Sequence, residues 1–188
     1  EVILDEANKM DKLVKRLLEL MKLEYEDRKF NDEKFNLVEL INYVVKNSKV
    51  VIAEQKIEVD FPEENPIYVY ADEFYIEQVV TNYFTNAIKN AEEVEKVKQI
   101  KISIKKSKDA GKYRVTVFNT GRKIDEENLN RIWTRFYKVD SARTRSKGGT
   151  GIGLALVKAI MTKYNNAYGV KNKKNGVEFY FDIQEAKS

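Results

Sequence analysis

Gly148-Gly149-Thr150-Gly151-Ile152-Gly153-Leu154-Ala155-Leu156-Val157-Lys158-Ala159-Ile160 puts four of the chain's eight glycines into six residues, directly before an apolar pattern of helical spacing. Glycine weakens helices and loses backbone entropy on folding, so such a cluster is useful where backbone bends tightly or approaches another group closely. The helix that follows offers unpaired N–H groups and the positive end of its dipole at the first turn. From these residues alone the segment is a tight turn, the commoner use, or a cradle for a polyphosphate. It is not a P-loop, because no Lys-Ser or Lys-Thr follows the last glycine.

Working outward, residues 151–164 read as a helix, and 168–171 and 177–183 as strands around a turn at 172–176. Upstream, residues 138–150 are polar, basic and glycine-ended, and read as a mobile loop. Asp125 starts a short helix reaching about Phe136. Ile100–Ile104 and Tyr113–Phe118 carry β-formers on either side of a Lys/Asp/Gly turn and read as a hairpin. Asp72 stands at an N-cap position, with Tyr75 at N3, for a helix running to about Ala91. Ile57–Phe61 and Ile67–Ala71 read as strands divided by Pro62 and Pro66, and residues 37–53 as one helix. Residues 1–26 hold no Gly or Pro and carry Ile3, Ala7, Met10, Val14, Leu17 and Met21 at alternating steps of four and three, a heptad seam that Leu13 and Leu20 widen. A lone helix cannot bury that seam. Its partner is its own domain or, as the charged stretch at 24–34 favours, an intermolecular bundle with a core separate from that of the domain.

The absence of Cys excludes disulfides and thiolate zinc sites, and the absence of His excludes His triads and His metal ligation. A net charge of +4 with both signs interspersed reads as a solvated surface, and no nucleic-acid partner is expected. No apolar run approaches the ~20 residues needed to span a bilayer. The chain begins at Glu1, as expected of an excised fragment.

On the 72–91 helix, Ile76, Val79, Val80, Tyr83, Phe84, Ala87 and Ile88 form a core face. Beside it Gln78, Asn82, Asn86 and Asn90 recur at four-residue steps. Asn is a mediocre helix former. The stripe is an exposed polar flank or a row of neutral oxygen ligands suited to Mg²⁺ that shares its shell with phosphates, with Lys89 beside it to neutralise phosphate charge. Asn119-Thr120-Gly121-Arg122-Lys123-Ile124 ends a strand and turns; Asn119 offers an acceptor to an exocyclic amine, and Gly121 leaves room for a flat ring. Ile132-Trp133-Thr134-Arg135-Phe136-Tyr137-Lys138-Val139-Asp140 reads as an aromatic plug at the loop's base, followed by Arg143 and Arg145, which could reach an anion.

Taken in this order, the four segments resemble the boxes of the two-component sensor histidine kinases, within the ATPase superfamily shared with gyrase, mismatch-repair and heat-shock-chaperone ATPases. Thr81–Lys89 is similar to the N box, Asn119–Ile124 to a variant G1 box, Ile132–Asp140 to the F box and Gly149–Leu154 to the G2 box, with residues 138–150 as the lid. Leu20-Met21-Lys22-Leu23-Glu24 resembles the second helix of the dimerisation and phosphotransfer domain. The resemblance implies an α/β two-layer sandwich, a mixed sheet of about five strands under three helices, preceded by one long helix of a helical hairpin. Residues 1–30 would be that helix and 31–188 the catalytic ATP-binding domain.

The resemblance implies a protein-histidine kinase that binds ATP with Mg²⁺. Asn86 would ligate the metal with Asn82 assisting, and Lys89 and Lys138 would contact phosphate. Gly149, Thr150, Gly151, Ile152, Gly153 and Leu154 would wrap it. Asn90, Asn119, Gly121, Ile124 and Tyr137 complete the nucleotide site. Asn86 and Lys89 would carry the catalysis. The phosphoacceptor His would lie upstream, on a homodimeric membrane sensor of which this is a cytoplasmic part, and a response regulator would take the phosphoryl group. The chain departs from the family's pattern at Asn119, where Asp is usual, at Lys123, in a glycine position, and at Asn90 and Glu178. These departures support the alternative of a degenerate, non-catalytic nucleotide-binding or dimerisation module. A clamp-like ATPase would instead hydrolyse ATP without a phosphohistidine partner.

Overall fold

The computed structural model describes residues 2–26, 29–137 and 150–187, the side chains of residues 2–6 and 9 excepted. The main sheet has five strands in the order β2-β4-β5-β7-β6. They are β2 (Glu58–Asp60), β4 (Gln99–Lys106), β5 (Lys112–Thr120), β6 (Tyr168–Lys173) and β7 (Gly176–Gln184). β2 runs parallel to β4 and every other pair is antiparallel, so the sheet is mixed as expected. Alternation sets its inner face. Ile102 stands opposite Val117 and Ile104 opposite Val115, and all four are buried. Val177, Phe179, Phe181 and Ile183 continue that face on β7.

Three helices cover this face: α2 (Leu37–Asn47), α4 (Glu73–Asn90) and α5 (Gly153–Lys163). α4 is central and contributes Tyr83 and Phe84, both with no exposure. Full burial of such side chains stabilises by about 1.5–3 kcal/mol each. The Tyr83 hydroxyl donates to the Tyr180 carbonyl at 3.1 Å, so its polar end is satisfied. Burial pushes that phenol well above the usual tyrosine range, with Tyr180 and Tyr168 adding to the shift.

The helix expected over 37–53 is broken. Ser48 (φ −100°, ψ 4°) separates α2 from the short α3 (Lys49–Glu54). Its Oγ donates to the Val44 carbonyl and its N–H to the Val45 carbonyl, a local alternative to regular helix pairing. Asp72 has the extended backbone of a cap, but its carboxylate accepts from the Asn31 N–H at 2.9 Å rather than from its own helix. In place of a helix over 125–136 there are two 3₁₀ turns, Glu126–Asn128 and Arg131–Trp133, ended by extended Thr134 and by Phe136 at φ +60°. The strand β1 (Glu33–Asn36) was not expected; it pairs with β3 (Tyr68–Ala71) in a separate two-stranded sheet. Its charged tetrapeptide buries only Phe35, which is too little alternation to read from the sequence.

The leading helix α1 (Val2–Tyr25) does not keep a separate core. Leu20 and Leu23 are buried within the domain's own cluster, against α5. Arg135 pairs with Glu24, and the Tyr75 hydroxyl donates to Glu19 at 2.7 Å. Phe30 lies between the rings of Tyr75 (4.7 Å) and Tyr164 (4.5 Å). The Tyr164 hydroxyl donates to Asp32 and accepts from the Asp72 N–H. Burial and the bond to Asp32 raise its pKa far above the usual value. The rest of the seam is open: Met10, Val14 and Met21 are 65%, 50% and 43% exposed, Ala7 is exposed and Leu17 half-buried. The Ile3 side chain lies outside the described residues.

Candidate nucleotide site

The polar stripe of α4 lies between the core face and solvent. Two of its amides are tied back onto their own helix. Asn82 Nδ2 donates to the Gln78 carbonyl at 2.7 Å, and Asn90 Nδ2 to the Asn86 carbonyl at 2.8 Å and to Asn86 Oδ1 at 3.0 Å. This orients the side-chain oxygens of Asn82 and Asn90 away from the helix backbone. Asn82 is 7% exposed, Asn86 partly exposed, and Lys89 and Asn90 exposed.

The start of α5 presses on this stripe. A Cβ on Gly153 would stand 2.5 Å from Asn82 Oδ1, so any larger residue there would have to displace the Asn82 side chain. Gly151 has φ +71°, and its carbonyl accepts from the Phe136 N–H at 2.9 Å. A Cβ there would lie 2.8 Å from Phe136 Cα. Gly151 and Gly153 thus lie between the aromatic segment and α4. The N-cap of α5, Ile152, has no polar side chain to cap the helix, so among the described residues its own side chain does not compete for the positive end of the dipole. Ile152 is fully buried and Leu154 packs against the core, so both can meet a ligand with backbone alone. Thr150 is half-buried. Lys138, Arg143, Arg145, Gly149 and, Thr150 excepted, the loop expected over 138–150 lie outside the described residues.

The third wall is the end of β5. Asn119 is 2% exposed, and its Nδ2 donates to the Thr120 carbonyl at 3.1 Å. Gly121, at φ +144°, is where a Cβ would stand 2.7 Å from the Asn90 carbonyl. Its bareness therefore first serves packing against the end of α4. Ile124 is half-buried, and both its backbone groups pair with Asn172 on β6. In the aromatic segment Ile132 and Trp133 plug the core, Trp133 lying edge-on to Tyr168 at 4.9 Å. The Tyr137 hydroxyl donates to Asn128, and Arg131 sits 4.8 Å from its ring centroid. Asn128 and Asn172 carried no sequence signal beyond turn propensity. Glu178 lies on the far face of the sheet, paired with Lys173 at 3.0 Å in a shallow cavity of about 540 Å³, away from the stripe.

The start of α5 and the turn after β5 therefore both abut the polar stripe of α4, at Asn82 and at Asn90. The amide and backbone groups among them do not titrate. No cluster of three His, Cys, Asp or Glu able to hold a metal occurs among the described residues. Asn86 fits a hard cation that brings its own phosphate and water ligands: its oxygen accepts one bond from Asn90 and keeps a second lone pair. The Asn82 Nδ2 is committed to the Gln78 carbonyl, and its Oδ1 lies close to Gly153.

Residues 71–187 match the family described as histidine kinase-, DNA gyrase B-, and HSP90-like ATPase. Sensor histidine kinase WalK of Bacillus subtilis is 30% identical over 186 residues, 96% of this chain and 30% of that protein. The chain thus spans about a third of this relative's length. The nucleotide-free catalytic domain of histidine kinase ThkA superposes with a TM-score of 0.70 at 30% identity, over 83% of this chain and 97% of that one. ThkA in complex with response regulator protein TrrA gives 0.71 at 27% identity, over 98% of this chain and 50% of that one.

Proposed function

Because the chain belongs to the histidine kinase-, DNA gyrase B-, and HSP90-like ATPase family, we propose that it is the ATP-binding catalytic portion of a sensor histidine kinase. It transfers the γ-phosphoryl group of Mg-ATP to a histidine for relay to a response regulator. The chain has no His, so the acceptor lies outside its 188 residues. What supports this reading is that two sequence-distant segments meet the polar stripe of α4, with glycine at each close approach: Gly153 on Asn82 and Gly121 on Asn90. ThkA, crystallised with a response regulator, supports the choice of partner.

Phosphoryl transfer needs positioning and charge neutralisation more than covalent chemistry. The start of α5 and its glycine backbone receive phosphate oxygens. Asn86, assisted by Asn82, holds Mg²⁺, which when bound neutralises phosphate charge. Lys89 and Lys138 supply further positive charge. Asn119, Gly121, Ile124 and Tyr137 take the base side, with Asn90 at the mouth. Residues 1–30 belong to a helical dimerisation domain and 31–188 to the catalytic domain, in the cytoplasmic part of a membrane-anchored homodimer. Among the described residues no helix is long and apolar enough to cross a membrane.

Calorimetric titration with Mg-ATP, followed by γ-labelled ATP and a separately supplied histidine-bearing hairpin, tests this. Binding and acid-labile label on the hairpin are expected. Binding without transfer supports the degenerate module, and hydrolysis without transfer a clamp-like ATPase.

The open stripe of α1 has its own expected outcome. Met10 and Val14 exposed together leave an apolar surface that favours self-association. Light scattering should show dimers. Met10→Glu with Val14→Glu should raise the dissociation constant by about a hundredfold. Mg-ATP binding should persist, since neither residue belongs to the shared core.

A further inference from the structure

The hairpin of β6 and β7 touches the 119–124 segment at three points. A Cβ on Gly176 would stand 1.9 Å from the Asn119 carbonyl oxygen, so the turn lies directly on the backbone of the buried asparagine. The Gly121 N–H donates to the Asn175 carbonyl at 3.0 Å. Asn172 closes the far end: the Ile124 N–H donates to its Oδ1 at 2.9 Å, and its Nδ2 donates to the Ile124 carbonyl at 2.7 Å. This last contact is a fork in which one side-chain amide pairs with both backbone groups of one residue. A carboxylate lacks the donor and a hydroxyl lacks the reach to make both bonds.

We propose that Asn172 is a positioning residue for recognition of the nucleotide base. Its fork holds the Ile124 backbone, and with it the turn from Asn119 through Gly121, in one conformation. The inference rests on the nucleotide reading above. A neutral acceptor such as Asn119 distinguishes an exocyclic amine by geometry rather than by charge, so its selectivity depends on a backbone that cannot adapt. The phosphate side of the cleft is held by other elements, α4 and α5. Loosening Ile124 should therefore weaken the base-dependent part of binding and leave the phosphate-dependent part alone.

The test is titration of the whole chain with Mg-ATP and, by displacement, with magnesium tripolyphosphate, which carries the phosphates and no base. Asn172→Ala is expected to weaken ATP about tenfold with tripolyphosphate unchanged. Asn172→Asp keeps the volume and the acceptor but sets an oxygen against the Ile124 carbonyl. It should show the same selective loss, and carries the test if the alanine variant does not fold. Equal losses for the two ligands, or no loss for ATP, would overturn the positioning role. A wild-type chain that binds neither ligand overturns the nucleotide reading itself, and this inference with it.

Discussion

Asn86→Ala is expected to lower Mg-dependent ATP binding and phosphoryl transfer by about a hundredfold, the scale of losing one pre-positioned polar group at a phosphoryl-transfer centre. The side chain stands one helical turn beyond Asn82, whose oxygen lies against the glycine start of α5. It is more open than Asn82, and its oxygen already accepts from Asn90. A divalent ion held there meets a neutral oxygen, so the site adds no negative charge beside a polyphosphate. Calorimetry with and without Mg²⁺ distinguishes a ligand from a packing residue. The loss should be large with the metal and small without it. Equal losses would assign Asn86 to shaping the cleft instead. Thermal melting of the apo variant should stay near wild type, because Asn86 lies outside the buried cluster.

Arg114→Ala is expected to cost about 3 kcal/mol of stability at neutral pH, the scale of stranding one member of a buried ion pair. Asp182 has no exposure and Arg114 is 28% exposed. The Arg114 Nε and Nη2 donate to the two carboxylate oxygens at 2.6 and 2.9 Å, Ser107 Oγ donates at 2.7 Å, and the guanidinium lies 4.4 Å from the Tyr180 ring centroid. Burial opposes the charge on Asp182, but the bonds from Arg114 and Ser107 prevail and hold its pKa below the ordinary 3.8. Its contribution in the wild type is present above 3.8 and is lost as pH falls through the depressed native value. In Arg114→Ala the carboxyl is buried without its cation, its native pKa rises above the ordinary value, and the sign reverses: stability should grow as pH falls from 7 towards 5. Urea unfolding at several pH values checks both slopes. A variant whose stability is flat between pH 5 and 7 would mean that Asp182 finds water or another partner. Arg114→Ala with Asp182→Asn should recover part of the loss.

The elements written in short periods were legible before any tertiary structure. Ile100, Ile102 and Ile104 alternate, and β4 lies over them. Asn82, Asn86 and Asn90 repeat every four residues, and one helix carries all three. Ser48 was not legible as a break, because its Oγ bond to Val44 competes with helix geometry at a residue common inside helices. Asp72 could be read as the cap position, but Asn31, 41 residues away, takes its carboxylate.

The mixed sheet was expected only from the resemblance, while the chain's local spacing determined the strands β4, β5 and β7, the apolar and polar faces of α4 and the glycine entry to α5. These patterns depend on neighbours within a few residues, whose burial is periodic whatever the rest of the chain does. Tertiary structure decided that α1 shares the domain's core through Leu20 and Leu23, that Gly121 abuts Asn90, and that Asn172 grips Ile124 from 48 residues away. Such contacts leave no periodic trace, because packing of the folded chain chooses among many partners that the sequence offers with equal chemistry.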